Sequence, residues 1–97
     1  MKFDEEVLNP KRFVILSVLF LFKRMTEGEL AKAAEIHWGS LSTHLNRLEK
    51  RGYIKRRKSI TRRGVRTIVE ITEYGYKKYC EEIEKLKNVI NTVEDNL

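Results

Sequence analysis

The segment Gly39-Ser40-Leu41-Ser42-Thr43-His44-Leu45-Asn46-Arg47 carries two patterns at once. Leu41 and Leu45, continued by Leu48, recur at i, i+4 and i+7, which puts all three on one buried face of a helix. Ser40, Ser42, Thr43, Asn46, Arg47 and Lys50 are left on the other sides. Side chains of this kind can read base edges: a major groove about 12 Å wide admits one helix, Asn can pair bidentately with adenine, and Arg with guanine. An ordinary solvated helix face would show the same residues, so the flanking sequence has to decide between the two.

Upstream, Thr26-Glu27-Gly28-Glu29 has the form of a capping box, with the Thr26 hydroxyl accepting from the Glu29 amide and the Glu29 side chain reaching back to the Thr26 amide. It predicts a helix from there to Glu35 or Ile36, with the small Ala33 and Ala34 allowing close packing. A short turn containing His37 and Trp38 then leads into the Leu41 segment; Trp38 either packs over that turn or touches a DNA sugar. Further upstream, Asn9 followed by Pro10 marks a helix start, because Asn can cap orphan amides and proline at the first position loses only an amide that was unpaired anyway. This first helix should run to about Lys23. Its apolar residues from Phe13 to Phe22 cover more than one face, so some must meet a second surface; Phe13 and Phe20 are the candidates for contact with a partner subunit.

Downstream, Gly52 after Lys50-Arg51 ends the third helix, with cations near the carbonyl terminus and a residue free to turn left-handed. A β-favouring stretch from Tyr53 to Ile60, turn chemistry at Thr61-Arg62-Arg63-Gly64 and an alternating strand from Val65 to Ile71 predict a hairpin. The net charge of +6 is concentrated here. Between Arg47 and Arg66 stand Lys50, Arg51, Lys55, Arg56, Arg57, Lys58, Arg62 and Arg63, against Glu49 alone. Crowding like charges on a two-stranded ribbon costs stability, so a partnerless version is disfavoured. Phosphate neutralisation accounts for most non-specific DNA affinity, and this density is the footprint of a backbone clamp. Arg62 and Arg63 flank the tip, where guanidinium groups would feel the negative potential of a narrow minor groove.

Thr72 can cap a last helix running to the C-terminus, on which Tyr76, Tyr79, Ile83, Leu86, Ile90, Val93 and Leu97 recur in steps of three and four. Such a seam predicts homodimerisation. A helix of about 25 residues would extend about 37 Å, longer than support of a hairpin requires. Tyr79, Ile83, Leu86, Ile90, Val93 and Leu97, with Phe13 and Phe20, make up the expected interface; packing of the seam against the first helix of the same chain is the alternative, and both can hold, with Tyr76 and Tyr79 packed within the monomer and Ile83 to Leu97 across the partner.

Three helices, a short turn between the second and third, and a hairpin form the layout of a helix-turn-helix with a wing. The segments from Gly39 to Leu45, from Leu48 through Gly52-Tyr53-Ile54, and Ile71-Thr72-Glu73-Tyr74-Gly75 resemble winged-helix regulators related to the MarR and ArsR families. The resemblance covers roughly residues 12 to 80. It implies an α+β, mostly helical winged helix-turn-helix in one domain, residues 1–97, with 72–97 as the dimerisation helix. It also implies a transcriptional regulator that binds double-stranded DNA. The residues expected on DNA are Trp38, Ser40, Ser42, Thr43, Asn46, Arg47 and Lys50 from the third helix, and Lys55, Arg56, Arg57, Arg62, Arg63 and Arg66 from the wing.

Other classes are disfavoured. The single cysteine, Cys80, leaves no disulfide framework and no Cys-rich zinc site, and the pair His37 and His44 is too small a ligand set for a metal sensor. No cofactor is called for. The apolar run from Phe13 to Phe22 is half of the roughly 20 residues a bilayer requires, and the acidic opening Asp4-Glu5-Glu6 does not suit a signal peptide, so a cytoplasmic protein without membrane contact is expected. No nucleophile with a base, paired carboxylates or phosphate-cradling glycine loop points to an enzyme. Two other binding roles stay open: an architectural DNA-binding protein without base preference, and a winged helix that binds protein. An effector is left open.

Overall fold

The structure, a computed structural model, describes residues 2–97. Helix α1, Pro10–Phe22, is capped by Asn9, whose side chain accepts from the amides of Lys11 and Arg12. A three-residue strand β1, Arg24–Thr26, leads into α2, Glu27–Ala34, through Thr26, which also closes the capping box with Glu29. After α3, Trp38–Lys50, come the hairpin strands β2, Ile54–Thr61, and β3, Gly64–Ile71, and then α4, Glu73–Asp95, capped by Thr72. The three strands form one antiparallel sheet in the order β1-β3-β2. The β2–β3 register runs from Ile54 opposite Ile71 to Thr61 opposite Gly64, which leaves Arg62 and Arg63 as the two-residue tip.

The core forms where the apolar stripes of the helices meet one face of the sheet root. Ile15, Leu16 and Leu19 of α1, Leu30 of α2, and Leu41, Leu45 and Leu48 of α3 are buried against Ile54, Val69 and Ile71. Burial on β3 is confined to Val69 and Ile71, and beyond them the hairpin leaves the body: Val65 and Ile60, paired across the ladder, are both exposed. The wing thus extends from an anchored root to a tip whose side chains face solvent.

Phe13, Phe20 and Tyr79, named for a partner interface, pack on one another within the chain, the intrachain alternative for this part of the seam. Phe13 stacks on Tyr79 at 5.7 Å between ring centroids, Phe20 stacks on Tyr76 at 4.8 Å and meets Tyr79 at 5.1 Å, and the Tyr79 hydroxyl shares a 2.7 Å hydrogen bond with Ser17. The Phe13–Phe20 side of α1 is therefore partly covered by the start of α4, while Leu21 and Phe22 stay exposed. Tyr79 is left with too little surface to serve a second chain.

Gly75 sets how closely α4 can start against the sheet. A Cβ there would lie 2.0 Å from the Tyr53 carbonyl oxygen, so only glycine permits this approach. From Lys87 onward every residue is exposed, including Ile90 and Val93 of α4 and Leu97 beyond its end. The 23-residue helix, about 34 Å long, accounts for the elongated 53 × 24 × 21 Å outline.

Residues 2–9 form a strap across the base of α3 and α4. Val7 is fully buried, the Asp4 carboxylate accepts from the Tyr53 hydroxyl and the Glu6 amide, and the Asp4 amide donates to Glu82. Glu82 is the buried charge of α4; Lys85 pairs with its second oxygen at 3.1 Å, an ion pair without good hydrogen-bond geometry.

Candidate nucleic-acid interface

Leu41, Leu45 and Leu48 face the core, and this fixes which side of α3 looks out. Ser42, Thr43, Asn46, Arg47 and Lys50 are exposed, whereas Ser40 is half-buried next to the helix start. The start is capped by His37, whose Nδ1 accepts from the Gly39 amide at 3.2 Å. Trp38, at 58% exposure, does not close over the turn; it lines an open groove between the start of α3, the start of α2 and the wing tip. Lys32, Arg62, Arg63 and Arg66 line the same groove. Four cations against one acidic residue, Glu29, around an exposed aromatic ring suit a sugar-phosphate strand.

Two of the expected DNA residues are tied to neighbours in a way that sequence reasoning missed. Arg47 donates from Nε and Nη2 to the two oxygens of Glu6, at 3.3 and 3.2 Å. On the opposite flank, the Asn46 side-chain oxygen accepts from Arg56 Nη2 at 2.6 Å. An adenine would need that oxygen as an acceptor for its own amino group, so the bidentate Asn–adenine pairing is disfavoured while Arg56 holds it.

Arg56, expected on phosphate, points inward. Its guanidinium lies 2.7 Å from Glu49 and 3.5 Å from Glu27, and its side chain is 20% exposed. The reason is register: Arg56 sits opposite Val69, on the face of the sheet that packs against the helices, so its charge meets carboxylates of α2 and α3. It joins the root of the wing to both helices. Lys55, Arg57, Arg62, Arg63 and Arg66 remain exposed, although Arg66 also donates to the Val65 carbonyl at 3.0 Å.

Behind the outer face of α3 lies a buried cation. Arg12 donates to the Glu6 carbonyl at 2.8 Å, the Glu5 carbonyl at 3.4 Å and His44 Nδ1 at 3.1 Å, and stands 3.5 Å from the Glu6 carboxylate. Burial, and then the charges of Arg12, Lys11 and Arg47, hold the His44 pKa below its usual value, so the ring is neutral and can accept. The hydrogen bond from Arg47, set against partial burial and reinforced by the charge of Arg12, holds Glu6 below the usual carboxylate range. One signal could have found Arg12: it lies on the i, i+3, i+4, i+7 stripe with Ile15, Leu16 and Leu19. No comparable signal marks Glu6, because its segment has no period.

Comparison with known proteins converges on one family. The model of a family described as "Winged helix DNA-binding domain" matches residues 11–90. An uncharacterized protein of Methanocaldococcus jannaschii is 33% identical over 93 residues, covering 92% of this chain and 98% of that protein. Among solved structures, a transcriptional regulator homologue from Pyrococcus horikoshii OT3 superposes with a TM-score of 0.87 at 30% identity, over 93% of this chain and 89% of that one. A MarR family transcriptional regulator from Silicibacter pomeroyi DSS superposes with a TM-score of 0.69 at 25% identity, over 96% of this chain and 57% of that one.

Proposed function

The chain belongs to the winged helix DNA-binding domain family, and from that premise we propose that it is a dimeric transcriptional regulator that recognises a pseudo-palindromic duplex. In this reading α3 enters the major groove with Ser42, Thr43, Asn46, Arg47 and Lys50 outward, and Trp38 and the half-buried Ser40 lie at its leading end. The wing lies along the backbone or minor groove, with Lys55, Arg57, Arg62, Arg63 and Arg66 on phosphates.

The observation that carries the reading is spatial: the outward side chains of α3 are polar, and Trp38 at its leading end lines one groove with Lys32 and the exposed hairpin cations Arg62, Arg63 and Arg66. A groove of this composition attracts a polyanion and offers a flat ring to a sugar.

Dimerisation is supported by the free end of α4. Ile90 and Val93 are half exposed and Leu97 almost fully, on the seam that begins at Ile83 and Leu86. An isolated projecting helix gains nothing from an apolar edge; a second copy of that edge would bury it. A two-fold pair of α3 helices would then meet successive major grooves about 34 to 36 Å apart.

Fluorescence anisotropy with labelled duplexes across a salt series tests the reading. Affinity should fall steeply with salt, and a selected duplex should bind at least about a thousandfold more tightly than a scrambled one. Equal affinity for both would indicate an architectural role, and no binding at moderate salt would indicate a protein-binding module.

A further inference from the structure

Glu6 is out of place in a surface built to meet phosphates. It precedes the first helix, its side chain is only 16% exposed, and its carboxylate abuts the outer face of α3. A carboxylate there repels a polyanion and lowers non-specific affinity. The strap nevertheless fixes it firmly. The Asp4 carboxylate accepts from the Glu6 amide at 2.9 Å, Arg12 Nε donates to the Glu6 carbonyl at 2.8 Å, and Val7 next to it is fully buried.

The geometry of the Arg47 pair suggests a use for it. A guanidinium has two forks: a side edge, Nε with Nη2, and an end edge, Nη1 with Nη2. Glu6 takes the side edge, at 3.3 and 3.2 Å. Among the described residues nothing bonds Nη1, and the Arg47 side chain is 56% exposed. With the side edge taken, the end edge remains free to donate in parallel to O6 and N7 of a guanine. An arginine held by its side edge reaches that contact with less side-chain freedom to lose than a free one.

We propose that Glu6 is a positioning residue for Arg47: it grips the side edge of the guanidinium and presents the end edge to one guanine in the major groove, giving up non-specific affinity for discrimination at that base pair. The proposal rests on the reading of α3 as the recognition helix, so its test has to separate the two.

The test compares wild type, Glu6→Gln, Glu6→Asp and Arg47→Ala on a selected duplex, on its set of single base-pair substitutions and on a scrambled duplex, all at one salt concentration. In wild type, one guanine should discriminate by about tenfold or more, and Arg47→Ala should abolish that preference. Glu6→Gln removes the charge and one acceptor, so binding to the scrambled duplex should tighten several-fold while discrimination at the guanine collapses. Glu6→Asp keeps the charge but falls short of the fork; it should lose discrimination with no gain on the scrambled duplex, which a purely repulsive role cannot produce. In an Arg47→Ala background neither change at Glu6 should alter base preference. Thermal melting of each variant reports on the strap separately from base preference. If wild type discriminates and both Glu6 variants preserve that discrimination, the proposal is overturned while the regulator reading stands. If wild type binds no duplex, or all duplexes alike, both fall.

Discussion

His44 shows how one residue ties the helix-turn-helix to the first helix. Its Nδ1 accepts from Arg12, a bond available only to the neutral ring, and burial together with Arg12, Lys11 and Arg47 disfavours the imidazolium. Its folded pKa therefore lies below the ordinary 6.5. Below that value the unfolded chain binds a proton that the folded chain refuses, so stability is complete above pH 6.5 and declines as pH falls toward the folded pKa. Melting should occur at a lower temperature at about pH 5.5 than at about pH 7.5, and the difference should shrink in His44→Gln, which keeps an acceptor but does not titrate. An unchanged difference would move the effect to other groups. Gly75 makes a sharper case. The atom a Cβ would strike is the Tyr53 backbone oxygen, at 2.0 Å, and backbone cannot swing aside as a long side chain can. Gly75→Ala should destabilise the fold by about 1 to 3 kcal/mol, read in denaturant melts, although alanine has the higher helix propensity.

At the scale of elements, the wing divides into a root and a tip that should respond differently to substitution. Arg56 at the root is held by Glu49, Glu27 and Asn46, so Arg56→Ala should cost about 1 to 3 kcal/mol of stability. Arg62 and Arg63 at the tip make no ion pair among the described residues. Their joint replacement by alanine should leave the melting temperature nearly unchanged and lower the slope of log affinity against log salt by about 2. Equal loss of stability in both variants would mean the tip is structural. These are also the elements whose legibility in the sequence can be compared. Both hairpin strands, the capping box at Thr26 and the buried leucine face of α3 could be read from period and cap chemistry. Strand β1 could not: Arg24, Met25 and Thr26 are too few to show alternation, and the third of them doubles as the helix cap. Nor could Arg56 be sorted from Arg57 and Lys55 by composition; only the register opposite Val69 turns it inward.

For the whole molecule, the reading turns on what covers the far end of α4. The heptad pattern marked a seam from Tyr76 to Leu97, but a period cannot say which chain supplies the other side. The structure divides it: Tyr76 and Tyr79 stack on Phe20 and Phe13 of α1, while Ile90, Val93 and Leu97 lie open. Glu82, buried one step off the seam and bonded to the strap at Asp4, marks where α4 begins to leave its own fold. If a second copy covers the open part, Ile90→Asp with Val93→Asp should give a monomer by sedimentation, and the melting temperature of wild type should rise with protein concentration while that of the variant does not. Such a monomer should retain the salt dependence of one wing and lose most of its affinity for a two-site duplex. The central claim is that two copies place two α3 faces in successive major grooves. Selection from random duplexes by the purified protein tests it most directly. The expected result is enrichment of an inverted repeat whose half-site centres lie about 10 base pairs apart, or a multiple of that; recovery of unrelated sequences, or of a single asymmetric site, would contradict it.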